Sequence, residues 1–312
     1  MNSGSWPHTA PTNREAEDVG CCRGELCSPA ASQPLKNVLV IGESSYIGAS
    51  FLRYAGGRFS ITAVSSRDGK WRDADFSQVD AVLHCAGLAH VPQKKDMKQL
   101  YYDVNCNLAV DVAQKAKAAG VKQFVFLSSM AVYGRGQTVI TPATQPSATD
   151  FYGGSKLAAE EKLQRLASPG FDVCMVRPPM VYGAGCRGNF PRLVALEKKL
   201  PVFPNIQNRR SMVYIDNLCE FLCQAIGKGK GGICRPQNTE YVNTTELVTL
   251  IARLQGRNMR TTRVFNPLIR VARRFVPLVD KLFGDLVYER SGDEAGYNVV
   301  GFEDGVRVSV GL

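Results

Sequence analysis

Ser129, Tyr152 and Lys156 have the side-chain types and the spacing of an acid–base set. The tyrosine and the lysine lie four residues apart in Tyr152–Lys156 (YGGSK), and the serine precedes the tyrosine by 23 residues. On a helix, residues i and i+4 share a face, so the phenol and the ammonium would be neighbours. A lysine cation and an oxidised nicotinamide ring would lower the tyrosine pKa from about 10, and Ser129 would polarise a reacting hydroxyl or carbonyl group. The same spacing is also typical of an ordinary pair on a helix surface, so the surrounding elements decide between the two interpretations.

A glycine-containing turn follows the first predicted strand, at Val38–Gly48 (VLVIGESSYIG). The first glycine allows a tight turn, and the last lets the next helix pack close to the sheet. The helix N-terminus then presents amides and a positive dipole to a pyrophosphate. The spacing matches the pattern GxxGxxG, except that a serine replaces the middle glycine. This turn predicts dinucleotide binding, and its predicted cofactor-binding residues are Gly42, Ser45, Tyr46, Ile47 and Gly48.

Arg67 follows the second predicted strand, where a residue that contacts the adenosine ribose is expected. Ser65 or Ser66 stands at the position of the usual ribose-binding acid, and the guanidinium of Arg67 comes next. Arg67 would contact a 2′-phosphate, which favours NADP(H) over NAD(H). In the other interpretation Arg67 is a solvated loop residue and Asp68 binds the ribose, so the choice between NAD and NADP stays open.

Short apolar segments alternate with predicted helices from Leu35 to about Pro178. The predicted strands are Asn37–Ile41, Phe59–Val64, Ala81–His84, Phe124–Leu127 and Val173–Val176, and the predicted helices include Leu100–Ala119, Tyr152–Leu166 and Pro267–Phe283. This alternation predicts an α/β fold with a doubly wound, Rossmann-type parallel sheet whose ligands bind beyond the carboxyl ends of the strands. We predict a disordered leader over residues 1–34 and a dinucleotide-binding domain over residues 35–178. Residues 179–312 are predicted to form a smaller, partly interleaved substrate lobe, from which 211–228 returns to the Rossmann domain.

Composition restricts the class of protein. A chain of 312 residues with 45% hydrophobic and 21% charged residues is not wholly disordered, and it has no apolar stretch of the roughly 20 residues that a membrane span requires. The ten scattered cysteines indicate reduced thiols in a cytoplasmic protein.

His84 and His90 lack suitably spaced partners, so no metal site is predicted. The net charge of +10 suits an anionic partner, but no aromatic and basic motif indicates a nucleic acid.

Further motifs occur in a fixed order along the chain. They are Val82–Gly87 (VLHCAG), Asp103–Asn105 (DVN), Ser128–Gly134 (SSMAVYG), Arg177–Gly183 (RPPMVYG) and Arg210–Leu218 (RSMVYIDNL). With the glycine turn and YGGSK, these motifs resemble those of extended short-chain dehydrogenases/reductases of the NAD-dependent epimerase/dehydratase family, from Leu35 to the C-terminus.

The resemblance implies roles for several further residues. Ala86, Gly87 and Ala89 would line the cofactor together with Tyr152 and Lys156, and Asn105 would support the sheet beside it. Arg210 would clamp the diphosphate of a nucleotide-sugar substrate, a role that suits a bidentate guanidinium, although a surface ion pair is the other interpretation. Asn189 would contact the nucleotide or phosphate, and Ser129 the reacting sugar. The family also implies a homodimer.

The resemblance leaves two main reactions. A dehydratase of this family carries an Asp-Glu pair directly after the active-site hydroxyl, whereas Met130 and Ala131 stand there in this chain. We therefore predict a nucleotide-sugar 4-epimerase that acts on a UDP-hexose or UDP-N-acetylhexosamine by transient oxidation at C4. An NAD(P)H-dependent 4-keto-sugar reductase is the alternative. A non-catalytic dinucleotide-binding protein is least favoured, because Ser129, Tyr152 and Lys156 are all present.

Residues 268–276 (LIRVARRFV) combine apolar residues with three arginines at helical spacing. Such a segment predicts peripheral contact with an anionic membrane surface. The resemblance adds that some related epimerases act on sugars attached to polyprenyl diphosphate. We favour the other interpretation, in which one face of the helix packs on the substrate lobe and the arginines are solvated or paired with acids.

Overall fold

The computed structural model describes residues 35–91 and 94–312, so the predicted leader over residues 1–34 lies outside the described residues. The strands, in chain order, are β1 (Asn37–Ile41), β2 (Ser60–Val64), β3 (Ala81–His84), β4 (Gln123–Leu127), β5 (Val139–Ile140), β6 (Asp172–Val176), β7 (Met180–Tyr182), β8 (Val202–Pro204), β9 (Met212–Tyr214), β10 (Gly232–Cys234), β11 (Arg260–Thr262) and β12 (Val287–Tyr288). The α-helices are α1 (Tyr46–Tyr54), α2 (Lys98–Tyr102), α3 (Leu108–Ala118), α4 (Phe151–Leu166), α5 (Asn189–Lys199), α6 (Ile215–Gly227), α7 (Thr244–Leu254), α8 (Asn266–Phe275), α9 (Pro277–Phe283) and α10 (Phe302–Ser309). A π-helical turn, Asp103–Asn107, joins α2 to α3.

Six parallel strands form the central sheet, in the order β10-β6-β4-β3-β1-β2. Ile41 at the end of β1 pairs with Val64 of β2 on one side and with His84 of β3 on the other. Strands β1, β3 and β4 are buried almost throughout, as expected for parallel strands that helices cover on both faces. The predicted Rossmann-type parallel sheet is confirmed. Strand β2 lies on one side of β1 and strand β3 on the other, so the order of the strands reverses at β1. Parallel sheets bind ligands in the crevice at such a switch point.

Short parallel ladders build the smaller C-terminal part. They pair β5 with β12, β7 with β9 and β8 with β11, and so join segments that are distant in sequence, such as Val139–Ile140 and Val287–Tyr288. Helix α6, which covers most of the segment 211–228, packs against α1 beside the central sheet. The domain boundary near residue 178 stays a prediction.

The prediction of one helix over Pro267–Phe283 is wrong, because α8 and α9 are separate helices that meet at Val276. A proline at position 277 has no amide hydrogen to donate, and it disfavours helical backbone angles at the preceding residue. Val276 accordingly has φ −110° and ψ 103°. The two helices pack against each other. Within residues 35–91 and 94–312, no helix combines the length and the apolar character needed to cross a membrane.

A buried ion pair fastens α4 to the sheet. Arg177, directly after β6, donates from Nε to Oε1 of Glu160 at 3.0 Å and from Nη2 to Oε2 at 2.5 Å. Its Nη1 donates to the Tyr133 hydroxyl at 2.6 Å. Both members of the pair are buried, so each charge relies on the other for compensation. Because Glu160 is four residues after Lys156, the pair also fixes the helix that carries Tyr152 and Lys156.

We expect Glu160→Gln to lower the free energy of unfolding by about 3 kcal/mol, because it leaves the Arg177 charge buried without a counter-ion. The matched control is Glu303→Gln, which breaks the exposed pair between Glu303 and Arg253 and should cost less than about 1 kcal/mol. Urea unfolding of both variants measures the difference. Equal losses of stability in the two variants would contradict the role given to the buried pair.

Candidate active site

The turn after β1 brings the backbone close to β3. Gly42 has φ +92°, and a Cβ there would lie 2.5 Å from the amide nitrogen of Ala86, so only glycine fits this approach. Ser45 caps α1, because its side-chain oxygen accepts a hydrogen bond from the Gly48 amide at 3.1 Å. A Cβ at Gly48 would collide with the Gly42 carbonyl oxygen. The serine in place of the middle glycine therefore stabilises the helix start and leaves the turn compact.

The side chains of Tyr46 and Ile47 face the protein rather than the turn. Ile47 packs against the main hydrophobic core. The Tyr46 hydroxyl is buried with no hydrogen-bond partner in the described residues, and burial is the main cause that raises its pKa. A Cβ on Gly183 would lie 2.5 Å from that hydroxyl, so the glycine makes room for it. Contact of Tyr46 and Ile47 with a cofactor stays a prediction.

Asn105 connects the loop after β3 to the helix α4. Its Oδ1 accepts from the Leu88 amide at 2.6 Å, and its Nδ2 donates to the Leu88 carbonyl oxygen at 3.2 Å and to Ser155 Oγ at 3.0 Å. The side chain is buried and projects from the π-helical turn, which re-aims it relative to a regular helix. A Cβ on Gly87 would lie 3.1 Å from both Asn105 Oδ1 and Lys156 Nζ. The loop that contains Ala86, Gly87 and Ala89 therefore lies directly on the predicted catalytic lysine.

Ser129 lies next to Tyr152, close enough for its side chain to act on the pKa of the phenol. Ser129 caps the short 3₁₀ turn Met130–Tyr133, and its Oγ also accepts from the Ala131 amide at 3.1 Å. A Cβ on Gly153 would lie 2.5 Å from the Ala131 carbonyl oxygen, so this glycine lets α4 begin against the serine turn. Burial raises the pKa of Tyr152, and the side chain of Ser129 acts in the opposite direction. The lowering of that pKa by Lys156 and an oxidised nicotinamide stays a prediction for the cofactor-bound protein.

Lys156 lies one helical turn after Tyr152 and is buried beneath the loop. Its Nζ donates to the Leu127 carbonyl oxygen at 2.7 Å and lies 4.6 Å from the centre of the Phe126 ring. Burial lowers the pKa of Lys156 to about 8. His84, fully buried next to it, packs between Phe124 and Phe126, and burial, together with the Lys156 charge, lowers the pKa of His84 to about 3. The imidazole is therefore neutral at pH 7 and part of the core.

Arg210 contacts the residue directly after α9. Its Nη1 donates to the Gly284 carbonyl oxygen at 2.8 Å, and its buried Nε has no hydrogen-bond partner within residues 35–91 and 94–312. Burial lowers the pKa of Arg210 to about 10, against the opposing charges of Asp280 and Asp285. Lys281 of α9 reaches the Asp150 carboxylate at 3.8 Å, and Asp150 caps α4. The short helix α9 therefore connects the predicted clamp with the predicted acid–base pair.

His90 also lies near Lys281 of α9. From the sequence, His90 was considered as a metal ligand, and that role was not predicted. It is the one non-glycine residue of the described chain with positive φ, at 59°, and a Cβ on Gly188 would lie 2.7 Å from its ring. Burial and the charges of Arg192, Arg187 and Lys281 lower its pKa. Asn189 begins α5 beside it and accepts from Arg192 at 3.5 Å. Arg187 and Arg192 flank the start of α5 in the sequence, and these two cations are the signal by which the sequence indicated this region.

Arg67 lies at the carboxyl end of the edge strand β2 with its side chain exposed. Its backbone amide donates to Ser65 Oγ at 3.2 Å, so that hydroxyl holds the loop conformation.

Next to β1, a Glu43 carboxylate oxygen is buried with no hydrogen-bond partner among the described residues, and the same holds for Ser128 Oγ. Buried polar atoms of this kind require partners, and a bound polar ligand supplies them. A dinucleotide that crosses the ends of β1, β3 and β4 would contact the glycine turn and the Gly87 loop. It would also supply partners for these two buried atoms, so the residues present fit this group.

A parallel α/β sheet with a glycine turn after its first strand, and with Ser129, Tyr152 and Lys156 at its carboxyl edge, defines a dinucleotide-dependent enzyme. The model of the NAD dependent epimerase/dehydratase family matches residues 38–235. The chain belongs to this family, and it is an NAD(P)-dependent enzyme.

The chain is similar to characterised sugar epimerases. The UDP-glucose 4-epimerase of Vibrio cholerae is 31% identical over 256 residues, which are 73% of this chain and 78% of that protein. The N-acetyl-alpha-D-glucosaminyl-diphospho-ditrans,octacis-undecaprenol 4-epimerase of Escherichia coli O157:H7 is 30% identical over 205 residues, 60% of this chain and 62% of that protein. The structure of UDP-glucuronic acid 4-epimerase from Bacillus cereus with NAD superposes with a TM-score of 0.69 at 18% identity, over 88% of this chain and 95% of that one. At that identity, the superposition establishes the fold alone.

We expect the stability contributed by position 156 to depend on pH. Lys156 has a pKa of about 8 in the folded protein against 10.5 in the unfolded chain, so the unfolded chain binds more protons between these values. The cost of burying the charge is therefore complete below pH 8 and disappears as the pH rises toward 10.5. Lys156→Met should raise the free energy of unfolding most at neutral pH, and this gain should shrink by about 3 kcal/mol across the window.

Urea unfolding at a series of pH values tests this expectation. Lys117→Met is the matched control for the lost hydrogen bond, because Lys117 also donates to a main-chain carbonyl oxygen, that of Leu166, but at an exposed site. A difference between Lys156→Met and the parent protein that stays constant with pH would contradict a buried, depressed lysine.

Proposed function

We propose that the protein is a nucleotide-sugar 4-epimerase that uses bound NAD(P), with a UDP-hexose or UDP-N-acetylhexosamine as substrate. The observation that carries this proposal is that Ser129 lies next to Tyr152 at the carboxyl edge of the sheet, with Lys156 one turn further along α4. The similarity to a UDP-glucose 4-epimerase over most of the chain supports this reaction and this substrate class.

In the proposed reaction, Tyr152 removes the proton from the sugar 4-hydroxyl while Ser129 orients that hydroxyl by a hydrogen bond. When bound, the nicotinamide supplies a reversible hydride acceptor for C4. Arg210 holds the diphosphate while the 4-keto sugar turns to present its other face, and Tyr152 then returns the proton. Lys156 supports the phenolate electrostatically. A guanidinium with a buried, unpartnered Nε suits the clamp, because phosphate oxygens would complete its hydrogen bonding.

The proposed cofactor site consists of the glycine turn and the loop after β3. Gly42, Ser45, Tyr46, Ile47 and Gly48 would face the pyrophosphate through their backbone. Ala86, Gly87, Ala89 and Asn105 would line the dinucleotide together with Tyr152 and Lys156. Asn189 at the start of α5 would contact the nucleotide or a phosphate.

The residues that follow Ser129 disfavour dehydration. Met130 is buried and Ala131 is bonded through its amide to Ser129, and neither side chain transfers a proton. The runner-up is an NAD(P)H-dependent 4-keto-sugar reductase, which the exposed Arg67 favours because a 2′-phosphate would pair with it. An epimerase of a polyprenyl-diphosphate-linked sugar is a third candidate, supported by the similarity to the Escherichia coli O157:H7 epimerase. The complete Ser-Tyr-Lys set makes a non-catalytic dinucleotide-binding protein the least favoured.

The assembly and location remain proposals. A homodimer and peripheral membrane contact through residues 268–276 are proposed as partners of the chain, beside its small-molecule substrate. The cytoplasmic location stays a prediction from the cysteines.

Incubation with a panel of UDP-hexoses, with and without NADPH, separates the two main reactions. We expect the C4 epimer to appear without added reductant. Loss of NADPH in proportion to a 4-keto substrate, with no epimer formed in its absence, would establish the reductase instead.

We expect Tyr152→Phe to reduce turnover by about a hundred- to ten-thousand-fold, because it removes the proton acceptor at C4. Binding of NAD(P) should persist, since the phenyl ring keeps the packing of α4. Tyr54→Phe is the control: it deletes a hydroxyl that donates to Glu220 at 2.8 Å, outside the proposed site. Full turnover by Tyr152→Phe would exclude the proposed acid–base role.

We expect Arg67→Ser to weaken NADP(H) binding by about tenfold or more and to change NAD(H) binding little, because only NADP carries the 2′-phosphate. Fluorescence titration of both cofactors measures the two dissociation constants. An equal loss for both cofactors would exclude contact between Arg67 and a 2′-phosphate.

A further inference from the structure

Helix α8 carries an apolar face that nothing in the described chain covers. Val264, just before the helix, is 79% exposed, and within the helix Leu268, Val271 and Phe275 are 69%, 57% and 78% exposed. Spacings of four, three and four residues place these side chains on one side of a helix, which we call the apolar stripe. No residue of α8 is buried. Only the opposite side, which includes Ile269, packs on the core.

The chain around the apolar stripe is basic and contains no acid. From Leu247 to Val279 there are seven arginines and no aspartate or glutamate. Arg270 and Arg274 share one flank of α8, because they are four residues apart, and Arg263 lies just before the helix. All three are exposed, and they form no ion pair within residues 35–91 and 94–312. By contrast, Arg273, on the protein side, pairs with Asp280 at 3.2 Å.

We propose that α8 lies in the headgroup region of an anionic membrane, with the apolar stripe inserted and the three arginines paired with lipid phosphates. A strongly amphipathic helix with an arginine-rich polar face is the form that interfacial helices take. Arginine stems lie along the apolar surface while the guanidinium groups reach the phosphates. Each basic residue near an anionic surface adds to the attraction, and the net charge of +10 acts in the same direction.

Charge favours a lipid surface over a second copy of the chain. A symmetric dimer through the apolar stripe places the same patch on both sides of the interface. Arg263, Arg270 and Arg274 would then face the same three arginines, and like charges in that position are repulsive. Anionic lipid provides both an apolar interior for the stripe and negative charge for its flank.

The contact would place the proposed diphosphate clamp beside the membrane. A Cβ on Gly284 would lie 3.1 Å from Nη2 of Arg273, and the carbonyl oxygen of Gly284 accepts from Arg210. Helices α8 and α9 pack together, and Lys281 of α9 reaches Asp150 at the start of the catalytic helix. Docking of α8 would therefore bring Arg210 and the start of α4 near the lipid surface. The proposal rests on the surface of α8 and not on the reaction proposed above.

Co-sedimentation of the full chain with vesicles tests the proposal. The two vesicle types are pure phosphatidylcholine and an equimolar mixture of phosphatidylcholine with phosphatidylglycerol, both at low salt. We expect binding to the anionic vesicles and at most weak binding to the neutral ones. Leu268→Ser combined with Phe275→Ser should weaken binding at least about tenfold. Arg270→Gln and Arg274→Gln should each weaken it about fivefold.

Matched variants control for exposure and charge elsewhere. Val299→Ser with Val308→Ser removes two exposed apolar residues, and Arg135→Gln with Arg165→Gln removes two exposed arginines, outside α8. We expect both double variants to bind like the parent protein. Absence of binding to anionic vesicles, equal binding to both vesicle types, or no effect of the stripe variants would overturn the proposal. A dimer in light scattering that the stripe variant dissociates, without vesicle binding, would assign the stripe to contact between copies.

Discussion

The hydrogen bond from Lys156 to the Leu127 carbonyl oxygen fixes where the catalytic helix meets the sheet. A buried ammonium needs acceptors, and at this point the nearest acceptor is the last residue of β4. The bond ties α4 to the strand that Ser128 and Ser129 directly follow, and it thereby helps to set the distance between the serine turn and Tyr152. The cost of the buried charge appears as the depressed pKa of Lys156. A buried lysine with a depressed pKa is a candidate functional residue, which agrees with the role proposed for Lys156 beside a cofactor and a phenol.

The glycines of the site make this arrangement possible. Gly42 lets the first turn reach Ala86, Gly87 lets the next loop lie on Lys156, and Gly153 lets α4 start against the turn of Ser129. Asn105 then holds the loop to α4 through three hydrogen bonds. The result is a close approach of the three loops at the carboxyl ends of three neighbouring strands. Rigid backbone of this kind holds a cofactor and an acid–base pair in fixed relative positions.

The strands of the central sheet were predictable because each is a short apolar run between helices, and buried parallel strands require such runs. The placement of Tyr152 and Lys156 one turn apart on the same helix was predictable because their spacing is local. The break at Val276 was missed although Pro277 signals it, since the apolar periodicity continues across it. The capping role of Ser45, the contact of His90 with Gly188 and the bond from Arg210 to Gly284 could not be predicted. They depend on backbone angles and on segments brought together from distant parts of the chain.

A crystal structure of the protein with NAD and a UDP-hexose bound tests the proposed acid–base chemistry of Tyr152 most directly. We expect the Tyr152 hydroxyl within about 2.6–3.2 Å of the sugar 4-hydroxyl oxygen, with the nicotinamide on the other side of C4 and the diphosphate on Arg210. A sugar bound with C4 turned away from Tyr152, or a nicotinamide placed away from Ser129 and Lys156, would contradict the proposed chemistry.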